Sequence, residues 1–167
     1  SAANAALNGV TLSGINRTGG TQTLSYTNNT GTADDGVGVN GGGSGSRVDN
    51  LETLVVNFSG HPRGVQGVSF VVSANQSNLG SSGGSVSSLT YTVFDVAGNE
   101  LGQFYSFAEG TVTMPSQYSN IGRIEIEANS PAQARISSVT FESVALDSAA
   151  PAVDPVTVGY TLTDDEG

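Results

Sequence analysis

The sequence predicts an all-β protein, an antiparallel β-sandwich carrying a long glycine-rich loop suited to calcium. Three observations predict it. Apolar and polar residues alternate in short runs, the period of half-buried strands. Clusters of Gly, Asn and Ser punctuate those runs at regular spacing. Helical periodicity is almost absent, and many short antiparallel strands pack most readily as two sheets face to face.

Taken in chain order, Val10-Thr11-Leu12 and Thr23-Leu24-Ser25-Tyr26 read as short strands. Leu54, Val56 and Phe58 then alternate with Val55 and Asn57, and Val68, Phe70 and Val72 follow. Leu89, Tyr91 and Val93 alternate with Thr90, Thr92 and Phe94. Ile124, Ile126 and Ala128 alternate with Arg123, Glu125 and Glu127, giving one apolar and one charged face. Val139 and Phe141 lead on to Val144 and Leu146. Turns are expected at Asn28 to Thr32, Gly80 to Gly84, Ala97-Gly98-Asn99 and Asn129 to Pro131.

Residues 1–147 are therefore expected to form one domain. Asp147 to Pro155 reads as an extended linker, because its two prolines disfavour helix and central-strand pairing. Val156, Val158, Tyr160 and Leu162 alternate once more before an acidic turn, Asp164-Asp165-Glu166-Gly167. Residues 148–167 are expected to be the linker and first strand of an adjoining module.

Composition narrows the function. Hydrophobic residues make up 37% of the 167, and Gly, Ser, Thr and Asn fill the remainder more than charge does. Fifteen acids against five bases, all arginine, leave a formal charge of −10. Such a surface repels nucleic acid and anionic lipid. Without cysteine and with a single histidine, His61, any metal must be a hard cation held by oxygen. No run approaches the roughly 18 apolar residues of a membrane span. The first residues, Ser-Ala-Ala-Asn-Ala-Ala, lack the pattern of a signal peptide, so an interior piece of a secreted chain is expected. The composition fits an extracellular bacterial protein.

The segment from Asp34 to Glu52 is the most informative. It holds Asp34, Asp35, Asp49 and Glu52, and between them Gly36, Gly38, Gly41, Gly42, Gly43 and Gly45. Calcium takes six to eight oxygens in a loose shell of carboxylates and carbonyls. Glycines let a loop turn its carbonyls inward. Asp34 and Asp35 can enter from one end and Asp49 and Glu52 from the other, with Asn40 or Asn50 adding an amide oxygen. The alternative is a solvated loop that opens on an Asx turn.

Other motifs fall away. Gly36-x-Gly38-x-x-Gly41 matches a dinucleotide fingerprint, but no strand–helix unit surrounds it and two aspartates flank it. Gly42-Gly43-Ser44-Gly45 opens like a calcium β-roll repeat, yet Arg47 stands where Asp belongs. His61 lies in a turn, Ser59 to Gly64, and reads as a surface residue. No nucleophile elbow is present, and a non-catalytic module is expected. A second acidic turn, Asp95 to Glu100, reads as a hairpin, with a cation site as the alternative.

The run Asp34-Asp35-Gly36-Val37-Gly38-Val39, the run Arg47-Val48-Asp49-Asn50-Leu51-Glu52-Thr53-Leu54-Val55-Val56-Asn57-Phe58, and Val68-Ser69-Phe70 together resemble ligand-binding modules of giant bacterial repeats-in-toxin (RTX) adhesins. Leu89 to Asn99 and Ile136 to Ser143 are similar in type, and Val158 to Gly167 is similar to the strand and acidic turn of adjoining adhesin domains. The resemblance implies type I secretion, a place on the bacterial surface and in biofilms, and a monomeric module within a larger chain. Within that family the chain looks most like the peptide-binding module. That implies Ca2+ gripping the C-terminal carboxylate of a partner peptide or protein. Asp34, Asp35, Asp49 and Glu52, with Asn40 and Asn50, are then the expected metal residues. The amides of Gly41, Gly42, Gly43 and Ser44 and the guanidinium of Arg47 are the expected ligand contacts. A calcium-dependent glycan-binding module and a calcium-stiffened spacer are the alternatives.

Overall fold

The computed structural model describes residues 8–16, 18–27, 35–40, 47–50, 52–74, 80–82, 85–129, 131–145 and 156–159. Its strands are β1 (Thr11–Asn16), β2 (Thr21–Thr27), β3 (Gly36–Asn40), β4 (Glu52–Asn57), β5 (Val65–Ala74), β6 (Gly80–Ser82), β7 (Ser85–Ser87), β8 (Leu89–Asp95), β9 (Glu100–Ser106), β10 (Gly110–Thr113), β11 (Ile121–Ala128), β12 (Ala134–Ser143) and β13 (Val156–Gly159). All pairings between them are antiparallel. No helix occurs among the described residues, and so none is long and apolar enough to cross a membrane.

The strands form because alternation places one face of each in the core. Ile121, Ile124, Ile126 and Ala128 of β11 are fully buried while Arg123, Glu125 and Glu127 point outward. Leu89, Tyr91 and Val93 do the same on β8. Phe58 meets Phe141 edge-on at 5.2 Å between ring centroids, and Phe70 stacks on Tyr91 at 5.7 Å. Each such side chain removed from water contributes about 1.5–3 kcal/mol before ordering entropy is subtracted.

The expected sandwich is corrected to a closed barrel. The hydrogen-bonded path runs β5-β12-β3-β2-β1-β4-β11 and returns to β5 through Ile121 opposite Val65, a ring of seven strands. β8 and β9 extend from β11, β10 adds to β5, and β13 adds to β12. Two joints in the ring are one residue wide: Ile121 with Val65, and Ile136 with Val37. Inward–outward alternation is identical in a sandwich and a barrel, so the pattern that foretold strands could not foretell these joints.

Both joints are built on close backbone contact. Gly36, the first residue of β3, has φ +140°, and a Cβ there would lie 2.7 Å from the Ile136 carbonyl oxygen. Its glycine brings β3 against β12. On the other side β4 turns into β5 through residues 58–64, and both strands run beside β11. There Gly64, next to Val65, has φ +80°, and a Cβ on it would lie 2.4 Å from the carbonyl carbon of Asn120, next to Ile121. Beside that joint the β4–β5 turn also crosses the chain before β1, where Gly60 N donates to Gly9 O at 2.8 Å and a Cβ on Gly60 would lie 2.2 Å from Gly9 Cα.

Candidate functional site

The glycine-rich segment is not one continuous loop. Residues 36–40 are strand β3, with Leu24 opposite Val39 and Tyr26 opposite Val37. Val37 and Val39 are core residues. Asp35 stands half-buried just before β3, and Asn40 ends it exposed, its carbonyl 3.5 Å from Thr23 Oγ1. Asp34, Gly41, Gly42, Gly43 and Ser44 lie outside the described residues.

The chain is described again at Arg47. Val48 bridges to Ala134 beside β12, with backbone N–O distances of 2.8 and 3.1 Å in the two directions. Asp49 follows, 4% exposed. A tight turn from Asp49 O to Glu52 N, 3.2 Å, carries the chain through half-buried Asn50 into β4. Glu52 is 2% exposed and faces Asn16 of β1 in register. Arg135 is equally buried beside Ala134. Charged groups are almost never this buried unless they are paired or hold a metal, and Asp35, Arg47, Asp49, Glu52 and Arg135 all take part in interactions. The structure thus brings Arg47, Asp49 and Asn50 together at one bridge, with Glu52 at the end of the turn that follows.

Among the described residues no group of three or more His, Asp or Glu side chains is arranged to hold a metal ion. A calcium shell here needs Asp34 or carbonyls of residues 41–46 in addition. Sequence reasoning missed Arg135. It occupies an outward position of an alternating strand, opposite Ser73 of β5, where an arginine ordinarily faces solvent, and the bridge from Val48 to Ala134 brings a further segment beside it.

The second acidic turn is a hairpin, as its sequence suggests. Asp95 Oδ1 accepts from the backbone N–H of Ala97 and of Asn99, both at 2.8 Å, and Oδ2 accepts from Asn99 Nδ2 at 2.9 Å. The Asn99 side chain first, then the surrounding backbone amides, hold this carboxyl below the usual aspartate range. Its oxygens are engaged in closing the turn between β8 and β9.

His61 is more than a surface turn residue. Its Nε2 lies 2.8 Å from the Asn8 carbonyl, its Nδ1 lies 2.9 Å from Ser143 Oγ, and its ring meets Phe141 edge-on at 5.0 Å. A carbonyl only accepts, which places the proton on Nε2 and makes Nδ1 the acceptor of the Ser143 hydroxyl. An open cleft of about 260 Å³ lies beside it, lined by His61, Pro62, Arg63, Ser143 and Val144 among others. The nearby amides of His61, Gly64 and Val144 already donate to Phe58, His61 and Gly64 carbonyls. The Ser143–His61 and His61–Asn8 contacts clamp the turn between β4 and β5 to the end of β12 and to the chain before β1.

Comparison with protein-family models, with curated proteins and with solved structures finds no match.

Proposed function

We propose that the chain is a non-catalytic, calcium-supported adhesion module of the extracellular RTX type, which takes the C-terminal carboxylate of partner peptides or proteins. One observation carries the reading. Paired backbone is described on either side of residues 41–46, at Asn40 on β3 and at the Val48–Ala134 bridge, with Arg47, Asp49 and Glu52 on the bridge side and Asp35 at the other end of β3. Flanking segments fixed in this way lower the ordering cost of binding a ligand between them. A carboxylate approaching a surface of charge −10 needs a cation to reverse the local sign, and oxygen-rich side chains suit calcium. Asp34, Asp35, Asp49 and Glu52 with Asn40 and Asn50 are the proposed ion residues, and Gly41 to Ser44 with Arg47 the proposed peptide contacts.

A second reading rests on Arg135. Buried on the strand bridged to Val48, it can balance the buried acids with no ion, and the cluster is then structural. Melting separates the two. Calcium that binds only the folded state raises its stability by mass action, so chelation is expected to lower Tm by several degrees relative to millimolar calcium. Identical melting curves select the structural reading.

Binding is tested with short peptides as free acids and as C-terminal amides, with calcium and with chelator. Free acids are expected to bind in calcium with micromolar affinity, roughly −8 kcal/mol. Arg47→Ala weakens that binding while calcium stays bound. Equal binding of acid and amide rejects the carboxylate mechanism, and calcium-dependent binding of glycans alone selects the sugar-binding alternative.

A further inference from the structure

Strand register assembles a second patch, remote in sequence from the glycine-rich segment. On β8 Leu89, Tyr91 and Val93 point into the core, so the alternating Thr90, Thr92 and Phe94 lie on the outer face, where Thr90 is also buried and Thr92 and Phe94 are partly exposed. Gln103 of β9 stands opposite Thr92, and Tyr105 opposite Thr90. On β11, Glu125 stands opposite Thr92 and Arg123 opposite Phe94. Directly opposed residues of antiparallel strands share a face. Tyr105, Gln103, Thr92, Glu125, Arg123 and Phe94 therefore form one outward surface.

Its side chains are held in place by one another. Tyr105 Oη donates to Gln103 Oε1 at 2.9 Å, and Gln103 Nε2 donates to Thr92 Oγ1 at 3.3 Å. Arg123 Nε lies 3.1 Å from Glu125 Oε1, and the guanidinium sits 4.0 Å above the Phe94 ring. Tyr105 is nonetheless 51% exposed, as is Phe107 two residues on at 50%.

We propose that this face of β8, β9 and β11 is a calcium-independent platform for neutral oligosaccharides. The chemistry of the surface selects that ligand class. Arg123 and Glu125 form an ion pair with the guanidinium laid over Phe94, so the patch carries no net charge to favour an anionic or a cationic ligand. What remains is an exposed aromatic ring, an amide with an unused N–H, a phenol oxygen and carboxylate lone pairs. A sugar ring offers the matching set, an apolar C–H face for Tyr105 and hydroxyls that both donate and accept. From β9 to β11 the platform spans ~10 Å, roughly two sugar rings. The site is independent of the proposed calcium loop, and its ligand is a saccharide rather than a peptide terminus.

The test is calorimetric titration of the whole chain, in calcium and in chelator, with cellohexaose, mannohexaose and a β-1,3-glucan hexasaccharide. A heparin hexasaccharide and an arginine-rich peptide serve as charged rivals. At least one neutral sugar is expected to bind, and neither rival. Tyr105→Ala and Gln103→Ala are each expected to weaken binding roughly tenfold, Tyr105→Phe much less, with melting unchanged in all three. Four results overturn the proposal: no neutral sugar binds, Tyr105→Ala binds like wild type, a charged rival binds in preference, or sugar binding disappears in chelator. The last would assign sugar binding to the glycine-rich segment instead.

Discussion

Tyr91 shows how environment sets a single residue's chemistry. It is fully buried between Phe70 and Phe104, and its hydroxyl has no hydrogen-bond partner among the described residues. Burial pushes the phenol well above its ordinary value of 10.0. Because the folded-state value is raised, the associated stability is complete below the unfolded value and is lost as pH rises from about 10 toward the folded one. Tyr91→Phe removes an unsatisfied polar atom and keeps the ring. The variant is expected to be as stable as wild type or about 1 kcal/mol more so at pH 7. It should also lose less stability between pH 9 and 11, as read by denaturant unfolding across that range. A drop of more than about 1 kcal/mol at neutral pH would mean that the hydroxyl is satisfied after all.

At the scale of elements, the joints carry the architecture. Gly36→Ala drives a Cβ into the Ile136 carbonyl and strains a backbone at φ +140°. It is expected to destabilise the fold by about 2 kcal/mol or more, whereas Gly98→Ala, whose Cβ would meet nothing within 4 Å, bears only its own φ of +86°. Thermal melts of the two variants compare them directly. The runs around Leu54, Phe70, Tyr91, Ile126 and Phe141 were legible as strands because each has one apolar face. β3 was not. Its Gly36-Val37-Gly38-Val39-Asn40 alternates glycine with valine, and the glycines and acids on either side read as a metal loop rather than as a strand pressed against β12. Of the candidate site, Asp49 and Glu52 were legible as a pair near Arg47, but burial of Arg135 depends on a bridge between residues 86 positions apart, Val48 and Ala134. Local pattern holds no trace of such a pairing.

For the whole molecule, the open question of extent falls on β12. One of its sides is shared: β3 pairs at Ile136, and β13 pairs from Ser138 to Phe141. We propose that residues 148–167 begin an adjoining module whose first strand lies along this shared side. Val139 and Phe141 are fully buried, and β12 keeps its long pairing with β5 from Ala134 to Ser143. Deleting Pro151 to Gly167 is therefore expected to leave a cooperatively folding barrel, with sheet content retained by circular dichroism. Loss of the cooperative transition would make β13 part of this domain.

The clamp at His61 has a kinetic consequence. It gathers Asn8, His61 and Ser143, whose links span 53 and 82 residues of chain. Closing loops of that length uses up chain entropy before any contact offsets it. The hairpins β1–β2 and β8–β9, joined by short turns, need no such wait. The expected order is local hairpins first and ring closure late, so His61→Ala should speed unfolding while leaving the refolding rate almost unchanged.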